Sequence, residues 1–211
     1  GLRVENGSSL GESGPYDSPV VDLTAVGPFL VVALNNSLLV FNSTSNLLYK
    51  VSWAEGPIRS LQAIDSSKLV LIRNRTVICF SLEKMNVKWA VQFEEAGELH
   101  VCALQEEEVV VLRLERGTWV GCLIRPDGVR GADVPIWWLD WADEVWISPF
   151  NSTHFLLAAR NITYGISALV SAIYFVAAWS TELEPEGYSG PFLIPDLDAV
   201  SYTHLRAHET E

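Results

Sequence analysis

From residue 19 onward the apolar residues come in runs of four to six, parted by short polar breaks rich in Asn, Ser, Gly and Glu. An amphipathic helix needs apolar positions at intervals of three and four. These runs, heavy in Val, Ile and Leu, predict instead short strands covered on both faces, with the breaks as hairpin turns. A first group of strands is predicted at Pro19–Val26, Phe29–Leu34, Leu38–Asn42 and Leu47–Trp53, and a second at Ile58–Ile64, Lys68–Arg73, Thr76–Leu82 and Val87–Phe93. A third is tighter, with Leu99–Leu104, Val109–Leu114 and Thr118–Ile124, and its first strand is expected to be short or missing.

The groups repeat. Leu30–Phe41 lies over Leu69–Phe80 without a gap, 39 residues on, and after one inserted residue Tyr49–Trp53 lies over Trp89–Phe93. Four strands recurring with a period near 40 are what a propeller blade requires, because one small sheet cannot bury both faces alone and must lean on its neighbours. The predicted fold is all-β, a partial β-propeller of three to four blades and a fragment of a larger one. Residues 1–18, rich in Gly and Ser, read as a flexible segment, and 19–124 as three blades. Residues 125–144 read as a Trp-rich connection holding Arg125-Pro126-Asp127-Gly128 and Pro135–Trp141. Residues 145–181 offer a fourth blade, because His154–Thr163 resembles Lys68–Thr76 and Ala172–Trp179 suits an outer strand. The competing reading is a membrane-spanning helix over 162–181, which holds no Asp, Glu, Lys or Arg and is long enough to cross a bilayer. Residues 182–200 read as a loop. Residues 201–211, Ser201-Tyr-Thr-His-Leu-Arg-Ala-His-Glu-Thr-Glu211, resemble a cloning-adaptor peptide and read as non-native, which sets aside His204 and His208.

The sequon Asn-x-Ser/Thr occurs at Asn6, Asn35, Asn42, Asn74, Asn151 and Asn161. Ordinary residue frequencies give about one or two in such a chain, and a sequon is read only on a secreted chain. Asn35, Asn74 and Asn151 fall in polar breaks where a glycan can project into water. The excess points to the endoplasmic-reticulum lumen or the outside of the cell, with a membrane anchor allowed for. Cys79, Cys102 and Cys122 are too widely spaced for a zinc knuckle or a redox motif. They read as buried small hydrophobes, or as one disulfide and a free thiol.

The net charge of -12 repels phosphate backbones and argues against nucleic acid. The sequence shows no phosphate-binding Gly-rich loop, no nucleophile elbow and no HExxH. His100 and His154 sit in or beside apolar runs and read as strand histidines. Asp140, Asp143 and Glu144 lie close in sequence to Trp138, Trp141 and Trp146, a mixture that carbohydrate-processing sites also use, but no second carboxylate cluster accompanies them. Trp137, Trp138, Trp141 and Trp146 are the candidate interaction patch, with a blade seam as the alternative role.

The strand rhythm, with Trp53, Trp89 and Trp119 near the outer strands, resembles quinoprotein-like and WD-like propellers, including luminal domains of endoplasmic-reticulum membrane proteins. The likeness covers about 19–124 and extends over 145–180. The repeated Gly-x-x-x-Trp ending, the WD dipeptide closing a blade and the sialidase box are all missing, so the resemblance implies a fold and no quinone. No catalytic, cofactor-binding or metal-binding residue is assigned. The expected function is non-catalytic: a luminal or extracellular glycoprotein domain binding another protein or a membrane-complex subunit. A secreted propeller enzyme acting on carbohydrate or using a quinone is the alternative.

Overall fold

The computed structural model describes residues 4–5, 8–9, 18–54, 56–104, 107–136, 139–142, 144–149, 154–164, 170–180 and 185–194, those from 160 onward by backbone path. After a short β1–β2 pair (Val4–Glu5, Ser8–Ser9) the chain forms four antiparallel sheets, each of four strands taken in sequence order. The first blade is β3 (Val20–Val26), β4 (Phe29–Leu34), β5 (Ser37–Phe41) and β6 (Leu47–Ser52). The second is β7 (Ile58–Ala63), β8 (Lys68–Arg73), β9 (Thr76–Ser81) and β10 (Asn86–Gln92). The third is β11 (Ala96–Ala103), β12 (Val109–Glu115), β13 (Thr118–Ile124) and β14 (Val134–Pro135). The fourth is β15 (Glu144–Pro149), β16 (His154–Tyr164), β17 (Val170–Ser180) and β18 (Pro185–Ile194). The molecule is an all-β partial propeller.

The 39-residue repeat is a repeat of register. Leu30 pairs with Phe41 and Ala33 with Leu38 in the first blade, as Leu69 pairs with Phe80 and Ile72 with Val77 in the second. Side chains alternate between faces along a strand, so each central strand supplies two seams. Val31, Ala33, Leu38 and Val40 face the second blade and pack with its Leu69, Leu71, Ile78 and Phe80. The intervening Val70, Ile72, Val77 and Cys79 pack instead with Val109, Val111, Cys122 and Ile124 of the third. Cys102, Val110, Leu112 and Trp119 in turn meet Val145, Phe155, Leu157 and Ala159 of the fourth. Both faces being buried is why these strands read as unbroken apolar runs. Each fully buried Val, Leu or Ile contributes about 1.5–3 kcal/mol, so the seams hold the arc together.

The first strands, β3, β7, β11 and β15, lie against one another in succession and form the inner side of the arc. Two side-chain hydrogen bonds stitch them at equivalent places. The backbone N–H of Leu61 donates to Asp22 Oδ2 at 2.7 Å, and that of Ala103 donates to Gln62 Oε1 at 2.9 Å. Asp22 and Gln62 stand 40 residues apart, so the peg recurs with the blade.

Three sequence expectations are corrected here. The third blade has a full first strand in β11, and its weak member is the last, β14, where Pro135 lacks the N–H a longer ladder needs. The Trp-rich connection therefore contains β14 and is part of a blade. The expected loop at 182–200 holds β18, which makes β17 the third strand of its blade and not the outer one. The helix over 162–181 is not formed, because Ile162–Tyr164 ends β16 and Val170–Ser180 is β17, paired along its length. Among the described residues no helix is long and apolar enough to cross a membrane.

Candidate functional site

The first and second seams each carry an arginine over an aromatic ring. Trp53 follows β6 and Phe93 follows β10, the same place in successive blades. Their backbone N–H groups donate to Asn36 O and Arg75 O, both at 2.9 Å, which fixes each ring beside the β4–β5 or β8–β9 turn. The guanidinium of Arg73, on β8, lies 5.8 Å from the Trp53 ring centre, and that of Arg113, on β12, lies 5.3 Å from Phe93. Arg73 and Arg113 are 40 residues apart, as are Trp53 and Phe93. A cation over a ring face is held by the ring quadrupole, the more strongly the drier the site.

The seam between the second and third blades elaborates this device into a cleft of 340 Å³ lined by Gln92, Phe93, Glu94, Glu95, Arg113, Glu115, Arg130 and Asp133. Arg113, whose side chain is 4% exposed, donates from Nε to Glu115 at 2.9 Å and from Nη2 to Asp133 at 2.7 Å. Its Nη1 faces Cys122 Sγ at 3.8 Å, a weak acceptor. Arg130 reaches Asp133 Oδ1 at 2.6 Å and stands 4.8 Å from the Phe93 ring centre. Partial burial acts to raise the Asp133 pKa, but hydrogen bonds from Arg130 and Arg113 outweigh it and hold the carboxyl below its ordinary value. Asp133 in turn holds the Arg130 pKa above its usual value. Two cations sharing one carboxylate over one ring make a clamp between blades, and its partly open carboxylates give the cleft an acidic mouth.

At the opposite end of the same seam Lys68 bridges Asp65 of its own blade, at 3.0 Å, and Glu107 of the third. The hydrogen bond to Glu107 is the main reason the Lys68 pKa is raised. For Asp65, burial raises the pKa while hydrogen bonds from Ser67 and Lys68 lower it further, so the net shift is downward.

The sequence-derived candidates fall out unevenly. Asn35 and Asn74 both open the exposed turn between second and third strands of adjacent blades, with Asn74 at φ 53°. The connection between the blades runs between them: Ile58 N donates to Asn35 O at 2.6 Å, and Asn74 N to Pro57 O at 3.1 Å. Asn42 sits half-buried in the β5–β6 turn, where its Oδ1 accepts from Thr44 N, Thr44 Oγ1 and Asn46 N at 2.8–3.1 Å. Asn161 lies within β16 opposite Ile173, while Asn6 and Asn151 lie outside the described residues. Of the tryptophan patch, Trp137 and Trp138 lie outside the described residues. Trp141 is partly buried against the third seam, and Trp146 is 42% exposed on β15. Trp89 and Trp119 are buried, the first on β10 and the second on β13, a third strand.

His100 is tied to Glu98 at 3.0 Å on its own strand and lies 5.7 Å from the Trp119 ring centre. The side chain of His154 lies outside those described. Asp140 is exposed in the turn after β14, Glu144 opens β15, and Asp143 lies outside the described residues. Among the described residues no three of His, Cys, Asp and Glu gather as metal ligands would. Cys79, Cys102 and Cys122 are free and buried, as one of the two readings had it. Burial pushes Cys79 up to about 11 and Cys102 up to about 12, and raises Cys122 despite the nearby Arg113 and Arg130. The arginine–aromatic pairs were missed in the sequence, although the 40-residue spacing between Trp53 and Phe93 also separates Arg73 from Arg113.

No family model matches the chain, and no curated protein matches it. Solved structures do. U3-55K matches with a TM-score of 0.61 and 15% identity over 92% of this chain and 61% of that one. The RRP9 WD40 repeats match at 0.62 and 16% over 89% and 56%, and the Neurospora crassa Pan2 WD40 domain at 0.53 and 11% over 82% and 50%. The chain thus spans less than two thirds of the length of each of these structures. At such identities the likeness is one of fold: this chain is similar to WD40 repeat propellers.

Proposed function

We propose that the chain is a non-catalytic interaction domain of a glycoprotein of the endoplasmic-reticulum lumen or the cell exterior, where it binds another protein or a membrane-complex subunit. The observation that carries the reading is the pair Asn35 and Asn74. Both sequons stand at the same exposed turn of successive blades, with the asparagine turned to water and the backbone fixed by the neighbouring connection. A glycan needs such a projecting place, and a frame of packed sheets keeps the loops around it in fixed positions for recognition. Propellers of similar fold, the WD40 structures above, support the scaffold half of the proposal.

The test is expression of the full gene product with its own leader in mammalian cells. Asn35→Gln and Asn74→Gln are each expected to remove one glycosidase-sensitive mass step, and a protein partner is expected to co-purify in fixed ratio from gently solubilised membranes or medium. Wild-type protein insensitive to glycosidase overturns the luminal assignment. Purification as a lone species that turns over a sugar or a quinone substrate overturns the scaffold.

A further inference from the structure

The turn between second and third strands changes character in the third blade. In the first two blades it opens with a sequon asparagine. Asn35 stands two residues before Ser37, which begins β5, and Asn74 two before Thr76, which begins β9. Two residues before Thr118, which begins β13, stands Arg116. Its φ of 51° matches the 53° of Asn74, so the backbone repeats while the sequon does not. The Asn74 side chain lies on the side of the first blade: a Cβ added at Gly56, in the connection between first and second blades, would sit 3.2 Å from the Asn74 Cβ. A glycan on Asn74 therefore leaves the other side of its turn open, and that side borders the cleft between the second and third blades. Arg75 donates across it to Glu94 O at 2.6 Å, and Arg116 reaches Glu95 at 2.6 Å from the third blade.

Four carboxylates and two guanidinium groups line this cleft, Glu94, Glu95, Glu115 and Asp133 against Arg113 and Arg130, a surplus of negative charge. Both arginines are spent on Asp133, and Glu95 is held by Arg116. Two carboxylates keep open oxygens. Glu94 is exposed and its side chain has no partner among the described residues, while Glu115 gives only Oε2 to Arg113.

We propose that this cleft receives an arginine side chain from a basic segment of a protein partner, with Glu94 and Glu115 accepting from its guanidinium. A volume of 340 Å³ has room for one long side chain. The planar guanidinium carries five donors in a fixed fork and can serve two carboxylates at once, which suits it better than a compact ammonium. An anion would meet the surplus carboxylates with no free arginine to hold it. A net charge of -12 over the whole chain steers a basic partner toward it. The clamp of Arg113, Arg130 and Asp133 fixes the walls, so the open oxygens stand ready before the partner arrives. The sequon-free turn leaves this entrance bare where the equivalent turns of the first two blades carry glycans. The partner's identity as a protein rests on the interaction-domain reading above; the chemistry of the cleft does not.

The first arm of the test titrates the full chain, made without glycans and labelled for NMR, with the peptide acetyl-Gly-Gly-Arg-Gly-Gly-amide. The same peptide with citrulline, the neutral isostere, in place of arginine is the control. The arginine peptide is expected to bind saturably, with amide shifts centred on Glu94 and Glu115, at least about tenfold tighter than the control, and to weaken with salt. Glu94→Lys should lower that affinity at least about tenfold with the thermal transition unchanged, because Glu94 is exposed. Equal binding of the two peptides, or shifts centred elsewhere, overturns the proposal. The second arm uses the full gene product in mammalian cells. Arg116→Asn creates a sequon over 116–118, at the place that Asn35 and Asn74 hold in their blades. The added glycan is expected to cut recovery of the partner at least about tenfold, while the chain with only its own glycans keeps it. A partner retained by the chain with the added glycan overturns the proposal and leaves the interaction-domain reading standing. Failure of the wild-type chain to bring down any protein overturns that reading instead, and the peptide titration then decides the cleft.

Discussion

Removing the exposed member of the clamp between the second and third blades should cost more stability than removing the buried one. Arg113 is 4% exposed at its side chain, while its partners Asp133 and Glu115 are 42% and 30% exposed. Taking one partner from a fully buried pair costs about 3–5 kcal/mol, because the remaining charge is left without compensation. Asp133→Ala falls short of that on two counts: Asp133 is already partly screened by water, and Glu115 still holds Nε of Arg113. About 2 kcal/mol remains. Arg113→Met removes the buried charge and its desolvation cost together and keeps an apolar stem against Phe93. It loses the cation–ring contact and a charge-assisted hydrogen bond, leaving a net cost of about 1 kcal/mol or less. In a chain of this size the two changes should lower Tm by about 4–8 °C and at most about 4 °C. Urea unfolding followed by circular dichroism and tryptophan fluorescence measures both, with equal slopes showing that the midpoint shift is a stability change. Arg113→Met proving the costlier change refutes the reasoning, for it would mean that the guanidinium stabilises the seam outright.

Acid should loosen the same seam. Asp133 and Asp65 have pKa values lowered by folding, so their contribution is fully present above the ordinary aspartate value of 3.8 and is lost as pH falls through the lowered folded values. Melting curves between about pH 5 and pH 2 should show that loss, reduced in Asp133→Asn. Phe80→Ala, at a 2% exposed position in the first seam, should cost about 3–5 kcal/mol by denaturant titration. Asp22→Ala and Gln62→Ala should each cost about 1 kcal/mol by denaturant titration. The three thiols, with Cys79 and Cys102 raised to about 11 and about 12, should react with a thiol reagent only at the rate of unfolding; fast labelling of the native chain would refute their burial.

The strand pattern was legible in the sequence because the central strands face two neighbours, and a run such as Leu69-Val-Leu-Ile72 leaves no room for a helical stripe. The repeat was legible because register, turn and seam recur together, so Leu30–Phe41 and Leu69–Phe80 align residue by residue. What failed did so for physical reasons. The first strand of the third blade was read at Leu99–Leu104 but taken for the second of its group, because the two-residue β14 that completes the sheet leaves no apolar run to announce it. Strand β18 runs through Gly187, Gly190 and Pro191, residues that read as loop unless a paired strand beside them holds them extended. The uncharged stretch 162–181 fitted a helix and a strand pair alike, since composition without period cannot separate the two. The clamp was hidden because strand pairing within the third blade brings Arg113 to Arg130 and Asp133, and the packing of the second blade adds Phe93; nothing local in the sequence marks an arginine that will be buried.

Methyl–methyl NOEs across the first seam test the account most directly. In chain labelled at Val, Leu and Ile methyls, the set Val31, Leu38 and Val40 should show cross-peaks to the set Leu69, Leu71 and Ile78. Val70 and Val77 should show none to the first blade and should instead reach Val109 and Val111. Cross-peaks from Val70 or Val77 to the first set, or helical NOE patterns anywhere in 30–41 or 69–80, would contradict stacked blades.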